Sequence, residues 1–210
     1  MKPFLLTILF IVFAIPSFAQ IFGKNYNPGT YYTQDGQKHI GYLAMNFDEP
    51  GLFSSSDKIL YFKTSMDAKR EKIKASTIMG FVVANKDTAR TDSFVSVHPT
   101  NSRIKFNCDF IQVICDNGVV KLYNYRIPRK YAGAFGAIGA FVTYNDNYYF
   151  YGANADTAVE MERKDFIDVM SKMLADDPEI VAKIQSKDYT MGDMHRMLKL
   201  YYTHKLTTAR

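Results

Sequence analysis

Few side chains in this sequence stand at spacings that carry chemistry. Ser-x-x-Lys occurs twice, as Ser55 with Lys58 and as Ser102 with Lys105. The accompanying motifs of the enzymes that use this pair are missing, and Gly-x-Ser-x-Gly is absent as well. The four histidines, His39, His98, His195 and His204, include no i,i+4 pair and no His-Glu-x-x-His, the spacing that puts two imidazoles on one helical face. A metal site would have to be assembled from distant segments, and ordinary surface histidines are the expectation. Carboxylates cluster at Asp48-Glu49, at Glu160 and Glu162, and at Asp176-Asp177. A glycosidase needs two of them about 5–9.5 Å apart across a cleft, whereas a turn, a strand end and a helix cap account for these. Gly133, Gly136 and Gly139 match neither a dinucleotide fingerprint nor a phosphate loop, and no Lys-Ser or Lys-Thr follows. No catalytic residue, cofactor or metal ligand is therefore assigned.

The basic run Lys69-Arg70-Glu71-Lys72-Ile73-Lys74 is more specific than any of these. On a strand, Lys72 and Lys74 project to one side, because side chains alternate. They stand beside the aromatic Tyr61-Phe62 segment if the two runs pair. A charged edge that discourages strand-to-strand aggregation explains such a run. A contact for an anionic envelope component, made by Lys69, Arg70, Lys72 and Lys74, is the functional alternative.

The elements that must position these residues follow from hydrophobic periodicity. Short β-branched and aromatic runs broken by turn residues extend from Tyr31 to Met161. They predict strands over 40–46, 59–63, 80–84, 93–98, 110–115, 119–125, 148–151 and 158–161, with residues 21–30 as a leader or loop. Turns are expected at Asp35-Gly36, Glu49-Pro50-Gly51 and Asn117-Gly118. A two-residue turn at Asn117-Gly118 pairs Cys115 with Val120, Val113 with Leu122 and Ile111 with Asn124. That register buries Ile111, Val113, Cys115, Val120 and Leu122 on one face and sets Gln112, Lys121 and Tyr123 on the other. Residues 132–141 read as a flexible Gly-rich connection.

After Glu162 the period becomes helical, with Phe166, Val169, Met170, Met173 and Leu174 on one stripe. Asp177-Pro178 starts a second helix, with Asp as N-cap and Pro at the first position, and Ile180, Val181 and Ile184 line its inner face. Thr190 with Asp193 resembles a capping box and opens a third helix bearing Met194, Met197, Leu198 and Tyr201. Three short helices cannot close a core alone, so they are expected to pack on the sheet.

Residues 1–19 carry one lysine, a run of about a dozen apolar residues, and small residues at Ser17 and Ala19, the layout of a secretory signal. Cleavage is expected between Ala19 and Gln20. Pro16 ends the run short of the ~20 residues that an anchoring helix needs, so no transmembrane anchor is expected after processing. The chain has 47% hydrophobic and 22% charged residues, 15 Tyr, 16 Phe and no Trp, a globular composition. Its formal net charge of +5 is a mild excess, and export makes nucleic acid an improbable target. Cys108 and Cys115 are expected to stay unpaired: seven residues of strand separate them by about 23 Å against the ~5.5 Å of a disulfide, and odd spacing sends them to opposite faces.

Several segments carry a family likeness: Gln34 to Gly41 (Gln-Asp-Gly-Gln-Lys-His-Ile-Gly), Tyr61-Phe-Lys63, Ile78-Met-Gly-Phe-Val-Val83, Asp92-Ser-Phe-Val95, Asp109-Phe-Ile-Gln-Val113 and Lys121-Leu-Tyr123. The Gly-rich insertion, Arg163-Lys-Asp-Phe166 and Asp176-Asp-Pro-Glu179 complete it. On these the chain resembles a group of uncharacterised exported proteins common in the Bacteroidota. The resemblance implies export and an architecture, and no activity.

The expectation is an α+β protein: a signal peptide over 1–19, a β-rich body over 20–161, and a unit of three short helices over 162–210. The body is an antiparallel sheet, a partial barrel or sandwich, closed by the helices. An outer-membrane barrel is disfavoured, because the chain ends in helix and lacks a train of ten-residue lipid-facing strands. The expected function is a non-enzymatic periplasmic or secreted interaction module, binding an anionic envelope glycan or another envelope protein. A hydrolase acting on envelope polymers through a site built from distant segments is the alternative.

Overall fold

The computed structural model describes residues 25–45, 57–85, 90–98, 106–132 and 141–208, with backbone alone for 128–132, 141–144 and 208. The expected signal peptide with Ala19 and Gln20, the turn expected at 49–51, the glycines of 133–140, Asp48-Glu49, Ser55 and the Ser102–Lys105 pair lie outside the described residues.

Ten strands form one antiparallel sheet that does not close: β1 (Asn27–Thr33), β2 (Lys38–Met45), β3 (Ile59–Lys63), β4 (Glu71–Lys74), β5 (Ile78–Asn85), β6 (Arg90–Val97), β7 (Asp109–Asp116), β8 (Lys121–Ala132), β9 (Phe141–Gly152) and β10 (Val159–Glu160). Their order across the sheet is β10-β9-β8-β7-β6-β5-β1-β2-β3-β4. Three helices follow, α1 (Phe166–Met173), α2 (Pro178–Gln185) and α3 (Met194–Thr208). The α+β expectation holds.

The sheet curls. The Lys58 backbone N–H donates to the Cys108 carbonyl at 2.8 Å, and Ala75 N–H donates to the Lys58 carbonyl at 2.9 Å. Ser96 Oγ donates to the Ala75 and Ile78 carbonyls at 2.8 and 2.7 Å. Strand β3 stands five places from β7 in the sheet order, so these bonds need the β1–β6 part rolled onto itself. Inside the roll lie Tyr31, Leu43, Leu60, Phe62, Ala75, Ile78, Phe81, Phe94, Cys108 and Phe110. Fully burying such side chains is worth about 1.5–3 kcal/mol each.

A second core joins the helices to the same face of the sheet at its other end. Cys115 and Leu122 pack with Met161, Phe166, Met170, Met173, Leu174, Ile180, Ile184, Met194 and Met197. The predicted helical stripes are thus the buried ones. Asp177 Oδ1 accepts from Ile180 N–H at 3.2 Å, the N-cap bond expected. The Asp193 carboxylate accepts from Thr190 N–H at 3.0 Å, behind a short 3-10 turn, Met191–Asp193, that leads α3. The opposite face of β6–β9 buries Val97, Ile111, Tyr123, Tyr125, Ile127 and Phe150 under Ala155 and Ala158.

Three expectations are corrected. First, residues 27–30 belong to β1 and not to a leader. Pro28 is tolerated because only β2 flanks it; pairing of β1 with β5 begins at Gly29, so no ladder bond needs its missing N–H.

Second, the β7–β8 hairpin pairs Asp116 with Lys121, Cys115 with Leu122, Val113 with Tyr123 and Gln112 with Asn124, with an irregularity between Val113 and Cys115. The turn is four residues long because Asn117 Oδ1 accepts from both Val119 and Val120 N–H, at 3.1 and 2.8 Å, while Gly118 takes φ +85°. The extra residue in β7 is a bulge. Ile111 and Val113 consequently face Tyr123, whereas Cys115 faces Leu122 and the helices.

Third, that bulge cancels the odd spacing of the cysteines. Cys108 and Cys115 are both buried and free, on one face but in separate cores. Burial pushes the Cys108 thiol up to about 11.

Candidate functional site

On the rolled part of the sheet, strand alternation sends Tyr31, Leu43, Leu60 and Phe62 inward and their neighbours outward. The register sets Tyr32 opposite Lys38, Thr30 opposite Ile40, Tyr42 opposite Lys63, and Tyr61 opposite Lys72. The outer face of β1–β4 therefore alternates tyrosines with lysines. Ile40 is 69% exposed there, a large aliphatic side chain without cover. Tyr32, Tyr42 and Tyr61 are half-buried by their neighbours, and Lys38, Lys72 and Lys74 are exposed.

Cations sit on the rings as well as beside them. The Arg70 guanidinium lies 4.9 Å from the centre of the Tyr61 ring, and Lys63 Nζ lies 5.1 Å from that of Tyr26. Burial raises the Tyr26 phenol above its ordinary value, and Arg70 pulls it back. Tyr26 Oη is buried without a hydrogen-bond partner. Among the described residues no carboxylate stands within ion-pair distance of Lys69, Arg70, Lys72 or Lys74.

The predicted pairing of the basic run with the aromatic segment is present, with one change. Phe62 pairs with Glu71 but points into the core, 3% exposed, so Tyr61 alone stays beside the cations. Lys69 is exposed in the turn before β4. Because β4 ends the sheet, edge protection explains Lys72 and Lys74. It does not explain tyrosines carried across β1, β2 and β3. Sequence reasoning missed Tyr26, Tyr32 and Tyr42; alternation through 38–45 across the Asp35-Gly36 turn was the signal that could have found the last two.

A second polar feature lies between the two cores, on the face that carries the helices. Asn85 Nδ2 donates to Asp92 Oδ2 at 2.9 Å, Gln112 Nε2 to Asp92 Oδ1 at 3.1 Å, and Arg126 to Gln112 Oε1 at 2.7 Å. Asn124 Nδ2 donates to Asn147 Oδ1 at 3.1 Å. Nothing in the sequence singled this row out, since its members come from five strands.

The remaining candidates are not brought together. Lys58 is buried with Nζ 4.6 Å over Phe106. His39 stacks on Tyr31 at 4.6 Å, His98 stands 3.5 Å from Asp156, His204 stands 2.7 Å from Asp177, and His195 is exposed elsewhere on α3. Glu160 lies in β10, and Glu162 pairs with Lys164 at 2.8 Å. Asp176 holds Lys205 and Tyr201, and Asp177 caps α2. No group of three or more His, Cys, Asp or Glu stands together among the described residues. A groove of about 300 Å³ beside α1 contains Asp165 and Asp168. Three residues apart at one helix start, they stand side by side and not across a cleft, and Asp165 already accepts from Glu162 N–H. No described helix is long and apolar enough to cross a membrane.

No family model matches the chain, and neither a curated protein nor a solved structure matches it significantly.

Proposed function

We propose that this protein is a non-enzymatic binding module of the cell envelope, periplasmic or secreted; the resemblance to exported Bacteroidota proteins supports the export alone. Its contact surface is the outer face of β1–β4, and its ligand is an anionic envelope glycan. One observation carries the reading: Tyr61 opposite Lys72 on an open face, with Arg70 over the Tyr61 ring and no carboxylate partner for the run among the described residues. A flat tyrosine ring offers apolar area to a sugar ring at low entropic cost. Free ammonium and guanidinium groups attract its carboxylates or phosphates. The edge strand supplies the cations and the neighbouring strands the rings.

The test is retention of the mature chain on immobilised polygalacturonate, with dextran as the neutral control. Binding that weakens with salt is expected on the first and none on the second. Lys72→Gln together with Lys74→Gln should weaken it roughly twofold to thirtyfold, at the ~0.2–1 kcal/mol of an exposed ion pair each. Equal binding by this variant removes the face from the reading. Shortening of the polymer during incubation overturns the non-enzymatic reading in favour of a hydrolase.

A further inference from the structure

We propose that the polar row between the two cores is a second, separate binding site, which takes the carboxylate and a hydroxyl of one acidic sugar residue. It does not rest on the outer-face reading, since it lies on the other side of the sheet. Arg126 is exposed, yet its guanidinium is not free to wander. Gln112, 7% exposed, holds it through Oε1 at 2.7 Å, and Gln112 is itself oriented by its bond to Asp92. Asn85 fixes the other oxygen of Asp92. A surface arginine ordinarily pays rotamer entropy when it binds; this one is already placed.

A guanidinium carries five N–H donors in a planar fork. One bond to Gln112 leaves enough for a bidentate carboxylate, the geometry in which arginine surpasses lysine. Asp92 is the carboxylate in the row, and both its oxygens accept from amides. No carboxylate stands within ion-pair distance of Arg126 among the described residues.

The neighbours of Arg126 suit a sugar better than a bare anion. Asn147 stands directly opposite it and is exposed; Tyr149, on the same face two residues further along β9, is half-buried. Asn124, 7% exposed, donates to Asn147, while its own Oδ1 is buried without a partner. An unmet buried acceptor costs free energy. A sugar hydroxyl both donates and accepts, so it can satisfy an amide pair such as Asn124–Asn147 where a bare carboxylate such as acetate, which only accepts, cannot.

The experiment is titration of the ¹⁵N-labelled mature chain with glucuronate, followed through the Arg126 Nε–Hε resonance, with glucose, acetate and inorganic phosphate as separate arms. Saturable shifts of that resonance by glucuronate, at roughly millimolar affinity, and weaker ones by the other three, are expected. Arg126→Lys, followed through the Asn147 side-chain amide since the Nε–Hε signal goes with the arginine, should lose about tenfold or more, because it keeps the charge and loses the fork. Gln112 is a positioning residue. Gln112→Met should broaden the free Arg126 Nε–Hε signal and weaken glucuronate several-fold, with the remaining amide spectrum that of the folded protein. Lys72→Gln with Lys74→Gln should leave the titration unchanged, which separates this site from the outer face. Equal shifts with phosphate or acetate, no shift with glucuronate, or an Arg126→Lys variant that binds as well as wild type would each overturn the proposal.

Discussion

The β7–β9 region and the β1–β4 region are built from similar strands, yet they treat their two faces differently. Around β7–β9 the helices cover much of one face and Ala155 and Ala158 pack on the other, with Arg126 and Asn147 left exposed between the two cores. Even its polar side chains, Gln112 and Asn124, are more than nine-tenths buried. Around β1–β4 the described elements pack on the inner face, and the outer one keeps Ile40, three tyrosines and a train of cations in contact with solvent. The first region uses most of its residues in packing. The second carries side chains that the fold does not use, which is where a binding surface is expected.

The largest test of this contrast is Met197→Asp. Losing a buried methionine costs about 2–5 kcal/mol, and an unpaired buried carboxylate adds to that. The sum approaches the whole stability of a domain, so thermal melting should drop sharply, with the helices undocked from β7–β9. A variant melting like wild type would break the picture of helices and sheet as one body.

Leu60→Ala and Leu122→Ala probe the two cores, both at 0% exposure. Each should cost about 2–5 kcal/mol within a single urea transition. Two transitions would show that the rolled part and the helix-covered part unfold apart. Asp177→Ala removes the α2 cap and the partner of His204. It should cost about 0.5–2 kcal/mol, a shift of a few degrees in Tm.

A smaller effect depends on pH. Lys205, with help from Tyr201, holds the Asp176 carboxyl below its ordinary value of 3.8. A depressed folded-state pKa means that the stabilisation is full above 3.8 and is lost as the pH falls through the folded value. Asp176 is 47% exposed, so solvent limits the effect to about 0.2–1 kcal/mol. The gap in Tm between wild type and Asp176→Asn should therefore shrink on acidification; a gap that widens would reverse the sign. Smallest of all, Lys72→Gln with Lys74→Gln should change stability by less than about 0.5 kcal/mol. A larger loss would return those lysines to a structural role and erase the contrast.

Some of this was legible residue by residue. The Asp177 cap, the three helical stripes, the place of the turn at Asn117-Gly118 (though not its length or register) and the pairing of the basic run with 59–63 are set by contacts within a few residues or one hairpin. Local sequence therefore determined them. Other features were not written locally. Strands β8 and β9 run twelve residues each, past the expected 119–125 and 148–151, because pairing with each other outweighs the Pro and charged residues in their outer parts. The bulge in β7 arises from the four-residue turn, and it alone decides that Cys115 faces the helices. Phe62 and Tyr61 are adjacent aromatics in sequence; only the roll of the sheet makes one core and the other surface. The row from Asn85 to Arg126 draws on four strands, with Asn147 from a fifth, and each member reads as an unremarkable polar residue. Sequence by itself determined where elements start, how they alternate and which stripes are apolar, because those depend on neighbours along the chain. Tertiary structure decided which faces are left open and which polar groups meet, because those depend on strand register and on the curl, both set by contacts between segments far apart in sequence.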